Sequence, residues 1–115
     1  MGYYTDYSLE AGPFADGDEA DAFIQKLASV SGYVSGYHFE VGDFADGYIS
    51  ATNWDAKWYD CRDDAATVSA AYPHVTVDLR GNGEEPGDMW MMRARGGVTE
   101  RVAAQIVFPE FRTLK

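Results

Sequence analysis

The sequence predicts an α+β domain, in which a mainly antiparallel sheet of about four to six strands carries two helices on one face. Three observations indicate this fold class. Several segments alternate apolar and polar residues at the spacing of β-strands. Two other segments place apolar residues three and four positions apart, as amphipathic helices do. Gly96-Gly97 separates two alternating segments and is typical of a two-residue hairpin turn.

The first strand and the first helix follow from these patterns. Gly12-Pro13 ends a segment in which aromatic or apolar residues occupy mostly alternate positions. Those positions are Tyr3, Tyr7, Leu9 and Ala11. Asp18 is a suitable N-cap for the helix that follows, and Gly32 is a suitable stop. The apolar helix face comprises Ala20, Phe23, Ile24, Leu27 and Ala28.

Residues 33–58 are predicted to hold one or two strands, with a hairpin as one arrangement. Gly42-Asp43 and Asp46-Gly47 are turn signals between the alternating stretches. The alternating residues are Tyr37, Phe39 and Val41, then Tyr48, Ser50 and Thr52. The segment Lys57–Tyr59 is expected to finish a strand.

A second helix is predicted from Asp60 to the residue before Pro73. Asp60 is its expected N-cap, and Asp63 lies at the spacing of a capping box. One face comprises Cys61, Ala65, Val68 and Tyr72. Cys61 is therefore interpreted as a buried structural thiol of low reactivity.

The C-terminal part is predicted to be strands. A strand at 75–80 is followed by an expected loop at 81–87. The next strand, 89–95, should place Trp90 and Met92 on one face and Met89 and Met91 on the opposite face. After Gly96-Gly97, a long final strand is expected from 98 to 108, ended by Pro109.

Size and composition predict one soluble domain spanning residues 1–115. A chain of 115 residues with 46% hydrophobic residues can bury a core and is too apolar to be disordered. No apolar run approaches the roughly 18 residues of a membrane span, and the first residues do not resemble a secretory signal. The single cysteine excludes an internal disulfide. Together these features favour the cytoplasm.

The formal net charge of −10 bears on partners. Such a chain is not attracted to nucleic acid or anionic lipid, so direct nucleic-acid binding and membrane binding are not expected. It is attracted to basic surfaces. Two interpretations remain: the charge keeps the protein soluble, or a negative face occupies a nucleic-acid-binding groove on another protein.

Several short motifs resemble a known family. They are Asn53–Trp58, Tyr72-Pro73, Val75–Val77 and Glu84–Asp88. This pattern resembles the YubB-type ferredoxin-like domain. It is still more similar to small uncharacterised phage and prophage proteins with a Lys-Trp-Tyr-Asp signature, here Lys57–Asp60, a start like Tyr3–Tyr7 and a final Phe108-Pro109. Cys61 departs from the family pattern, which tends to have His there. The resemblance implies a phage or mobile-element origin and a ferredoxin-like core, with no known activity.

No catalytic, cofactor or metal site is indicated by the residues. His38, His74 and Cys61 are too few to indicate a metal site, and nothing in the sequence brings either histidine to Cys61 as a thiol dyad requires. The glycines of 81–83 are not followed by a helix, so they do not match a dinucleotide-binding loop. The sequence therefore favours a protein without enzymatic activity but leaves a small enzyme open.

Two groups of residues are candidates for binding a partner. Glu84, Glu85 and Asp88 lie in an acidic loop that suits a basic surface. Lys57 and Tyr59 flank Trp58 in an aromatic cluster. Trp54 and Trp58 themselves are interpreted as core residues, because alternation places them on one strand face.

Two functions of different classes remain open. The first is an interaction factor of a phage or mobile element, which binds a host or defence protein with a basic surface. The second is a small enzyme or ligand-binding domain with a cleft beside the sheet. The first is preferred because no catalytic constellation is visible, and self-association stays open as well.

Overall fold

The described chain contains two helices and six strands. The computed structural model describes residues 5–30, 40–56, 58, 60–105, 107–111 and 113–114, with the side chains of 53–56 left aside. In chain order the elements are β1 Thr5–Gly12, α1 Gly17–Val30, β2 Glu40–Val41, β3 Ile49–Ala56, α2 Cys61–Ala71, β4 Thr76–Gly83, β5 Met89–Arg95 and β6 Val98–Ala103. The predicted α+β class is confirmed.

The strands form one sheet in the order β2-β3-β1-β4-β5-β6, and every neighbouring pair is antiparallel. The part β2-β3-β1-β4, with α1 and α2 as its connections, is the split β-α-β arrangement of the ferredoxin-like fold. The hairpin expected within 33–58 is formed by β2 and β3. Strands β5 and β6 extend the sheet beyond this core.

Both helices pack on one face of the sheet. Alternate residues of each long strand are buried against them, including Leu9 of β1, Leu79 of β4 and Met92 of β5. Phe23 of α1 joins the two helices, because its ring lies 5.5 Å from that of Tyr72 at the end of α2. The core is thus a single layer of apolar side chains between the helices and one sheet face.

The first helix begins two residues earlier than predicted, at Gly17, and its cap is Asp16 rather than Asp18. Asp16 Oδ1 accepts a 2.9 Å hydrogen bond from the Glu19 N–H. Glu19 Oε1 in turn accepts the Ala15 N–H at 3.1 Å, so the two carboxylates form a reciprocal cap. Glu19 also contacts His74 Nε2 at 2.9 Å. That hydrogen bond, followed by the one from Ala15, lowers the pKa of Glu19.

The second helix spans the predicted residues but begins with a different contact. Asp60 lies at the N-cap, yet its side chain makes no capping hydrogen bond. Asp64 instead accepts a 2.6 Å hydrogen bond from the indole N–H of Trp58. Burial raises the pKa of Asp64, and the bond from Trp58 opposes that shift. Trp58 is 1% exposed, which confirms its assignment to the core.

Two strand boundaries in the C-terminal half were predicted wrongly. Residues 81–83 continue β4 instead of forming a loop. Position 81 requires glycine because the Trp90 indole occupies the space that a Cβ would fill. The glycine therefore serves packing within the strand, not a turn. The final strand ends at Ala103 rather than at Phe108. Its pairing stops because β5 begins at Met89, whose carbonyl accepts the last N–H bond, from Ala104.

Other predictions hold or fall outside the described chain. The Gly96-Gly97 turn is confirmed, with φ angles of 60° and 86° as a type I′ hairpin requires. In β5, Trp90 and Met92 are buried while Met89 and Met91 are exposed, also as predicted. Strand β3 ends at Ala56 and Trp58 belongs to no strand, while Lys57 and Tyr59 lie outside the described residues. Tyr3, Gly32, Tyr37, His38 and Phe39 lie outside the described residues.

The bond between Trp58 and Asp64 leads to a stability prediction. Replacement of Asp64 by Ala removes the acceptor of a buried indole N–H, so we expect a loss of about 1–3 kcal/mol in the free energy of unfolding. Asp64→Asn retains an acceptor oxygen and should lose less. Urea unfolding monitored by fluorescence measures both. Asp63→Ala, in the same helical turn but exposed, is the control, and an equal loss there contradicts the prediction.

Candidate functional site

The sheet face opposite the helices, here called the open face, is the candidate surface. No described helix covers it, and its residues are those that alternate with the core positions. Three rows of side chains cross this face through the strand register. They are Ser8, Arg80, Met91 and Val102; Glu10, Asp78, Arg93 and Glu100; and Asp6, Asn82 and Met89.

A concave trough of about 520 Å³ lies on this face, across β1, β4, β5 and β6. Met89, Met91 and Val102 supply its apolar lining and are 52%, 41% and 57% exposed. The polar lining includes Arg80 and Asp6. Exposed methionines at a concave surface are typical of binding surfaces that adapt to a partner, because the unbranched thioether repacks easily. We name this feature the trough.

The charged residues of the open face differ in their ion pairing. Arg93 donates to both carboxylate oxygens of Asp78, at 2.7 and 3.0 Å. This hydrogen bond, with the charge of Asp78, raises the pKa of Arg93. Arg80, which lines the trough, forms no ion pair with any residue in the described part of the chain. A carboxylate on an occupant of the trough would therefore find a cation there.

The acidic loop, residues 84–88, lies beyond one end of the trough. Asn82 and Met89, which line the trough, are paired in the register of β4 and β5, and the loop joins these two strands. Glu84 and Glu85 are exposed and Asp88 is half-buried. The three predicted partner-binding carboxylates thus lie together on one hairpin tip, next to an apolar surface. Lys57 and Tyr59, the other two predicted partner-binding residues, lie outside the described residues.

The C-terminal segment is a feature that the sequence reasoning missed. We use this name for the described residues 104–105, 107–111 and 113–114, which follow β6 and form no strand. Its large apolar side chains are each about four-fifths exposed: Val107 79%, Phe108 85%, Phe111 78% and Leu114 78%. The sequence carries a signal for it as apolar residues on both sides of Pro109, but the strand pattern assigns Val107 and Phe108 to the end of a strand.

The titratable groups do not form a catalytic cluster in the described residues. No three His, Cys, Asp or Glu side chains among them are placed to hold a metal ion. Cys61 and His74 lie near opposite ends of α2, roughly 15 Å apart or more by helix length, so they are not a dyad. Within the described ranges no helix has the length and apolar character needed to cross a bilayer.

Cys61 is half-buried against the core rather than fully buried as expected. Burial raises the pKa of its thiol to about 11, and the nearby charge of Arg101 only partly opposes this. The reactive thiolate is therefore scarce near neutral pH. This supports the interpretation of Cys61 as a structural residue.

We therefore expect slow labelling of Cys61 by a thiol reagent at pH 8, with a rate that increases up to about pH 11. Unfolding in urea should accelerate labelling, because an exposed thiol has its ordinary pKa. Absorbance of the released thiolate of a disulfide reagent measures the rate. Labelling of the native protein as fast as that of the unfolded chain would show an activated thiol.

Comparison of the chain with protein-family models, with curated proteins and with solved structures finds no match. The similarity to phage proteins therefore remains a prediction from short motifs. The fold and the geometry of the open face carry the functional argument.

Proposed function

We propose that this protein is an interaction module, which uses the open sheet face to bind a segment of a protein partner. The observation that carries the proposal is the trough with the acidic loop at its end. An apolar trough provides the free energy of burial, while neighbouring carboxylates select a partner that has basic groups beside its apolar ones.

The resemblance to phage and prophage proteins is the reason why this proposal expects a host protein as the partner. In this proposal the protein acts in the host cytoplasm on a host or defence protein. A basic partner surface, such as a nucleic-acid-binding groove, suits a chain of net charge −10. The negative charge has a second effect, since it keeps a protein with an exposed apolar surface soluble.

A small-ligand-binding domain is the alternative, favoured by the volume of the trough. About 520 Å³ lies within the roughly 300–1,000 Å³ of small-molecule sites. Native mass spectrometry of the purified chain distinguishes the two functions. A small molecule that dissociates on denaturation supports the alternative. A protein partner whose binding depends on the acidic loop supports the interaction module.

The acidic loop provides the test of the proposed function. We expect the triple variant Glu84→Gln, Glu85→Gln and Asp88→Asn to associate with a partner about three- to tenfold more slowly, with little change in dissociation. Charges at the edge of an interface act mainly through the rate of encounter. Association of the unmodified protein should weaken with salt, because screening acts beyond about 8–10 Å near physiological ionic strength.

The measurement starts with proteins captured from a host lysate by the immobilised chain, followed by binding kinetics with the captured partner. The matched control replaces three exposed carboxylates away from the trough, as Asp21→Asn, Glu40→Gln and Asp43→Asn, with the same change in net charge. Equal rates for the two triple variants would show that the charge acts only on solubility. The stability of the loop variant should be nearly unchanged, since its residues lie in a turn.

A further inference from the structure

We infer that the occupant of the trough is the C-terminal segment of a second copy of this chain. This inference rests on the proposed function and names a partner for the same surface. Two copies would exchange their C-terminal segments, each of which lies in the trough of the other. Such an exchange of identical elements is a low-cost route to a dimer.

The apolar character of the two surfaces is the first argument. Phe108 and Phe111 are 85% and 78% exposed, so the segment does not pack on the molecule that carries it. The trough offers Met89, Met91 and Val102 as exposed apolar surface on the same molecule. Two exposed apolar features on one small chain are costly unless they cover each other, because most monomers expose no large contiguous apolar patch.

Charge is the second argument. Residues 104–115 carry Glu110, Arg112 and Lys115, so this part of the sequence has a net charge of +1 in a chain of net charge −10. This part of the sequence therefore combines apolar and basic residues, as the proposed partner must. Its only carboxylate side chain, Glu110, is an opposite charge for Arg80, which makes no ion pair with a described residue.

Continuity of the chain is the third argument. The segment begins at the edge of the trough, since Ala103 and Ala104 line it and the Ala104 N–H donates to the Met89 carbonyl at 2.8 Å. A chain that leaves one trough at its edge can enter the facing trough of a second copy, and a two-fold axis makes the exchange reciprocal. The segment then makes no contact with the trough of its own molecule, which agrees with the exposure of its side chains.

The area covered is of the order that a stable dimer needs. A phenylalanine side chain buries on the order of 150–250 Å². A reciprocal exchange brings Phe108 and Phe111 of each copy against a trough, so the four rings contribute on the order of 600–1,000 Å². Specific protein–protein interfaces begin at roughly 1,200 Å² in all, and the surface of the two troughs supplies part of the remainder.

Light scattering after size-exclusion chromatography of four 115-residue chains, the unmodified one and three variants, tests the inference. The unmodified chain should be a dimer at about 100 µM. The segment variant Phe108→Ser/Phe111→Ser and the trough variant Met91→Lys should each be monomeric at that concentration, because both contacts of each variant homodimer lose one side. The control Val98→Lys changes an exposed residue of the same face that does not line the trough, and it should remain a dimer.

A mixture of the two disrupted variants gives a sharper result. The segment variant still has an intact trough, and the trough variant still has an intact segment. We therefore expect the mixture to form a heterodimer through one contact, although each variant alone is monomeric. Pairing of β6 edges or burial of the segment in its own trough would not produce this rescue.

Three results would overturn the inference. They are a monomeric unmodified chain at about 100 µM, a dimer that survives both disruptions, and a mixture that remains monomeric. The proposed function fails by a different result, which is the capture of the same host proteins at equal rates by the acidic-loop variant and its control. A monomer that still binds a host protein through the acidic loop therefore rejects only the inference.

Discussion

The packing of Trp58 is the constraint on which the rest of the structure depends. The ring of Tyr7 in β1 lies 5.4 Å from that of Trp58, and the Tyr7 hydroxyl donates to the Trp58 carbonyl at 3.1 Å. The indole N–H of Trp58 donates in turn to Asp64 in α2. One buried residue between two elements thus joins the central strand to the second helix. Because Tyr7 also contacts Trp90, the same cluster extends to β5.

This cluster determines which face of the sheet becomes available for binding. Helix α2 is held over β4, β5 and β6, where Arg62 donates to Thr99 at 2.9 Å and Ser69 accepts the Gly97 N–H at 3.0 Å. Because both helices pack on one face of the sheet, the opposite face of β5 and β6 is exposed to solvent. Met89 and Met91 lie there because they alternate along β5 with the core residues Trp90 and Met92.

Residue patterns predicted the elements well and their ends poorly. Periodicity located both helices, the strand with Trp90 inward and the Gly96-Gly97 turn, because these depend on local spacing. It failed at Gly81, where the absence of a side chain serves a packing contact with Trp90 rather than a turn. It failed after Ala103 because a strand ends where its partner does. The acidic loop was visible in sequence, whereas the trough needs residues from four strands.

Strand β5 belongs to two surfaces at once. Met89 and Met91 line the trough, while the ring of Trp90 lies on the other face of the sheet, 6.1 Å from that of Tyr7 within the core. Arg101 stacks over the same indole at 4.8 Å from the ring centroid. Binding and folding are consequently linked through one strand: whatever fills the trough adds its binding free energy to the stability of the folded state.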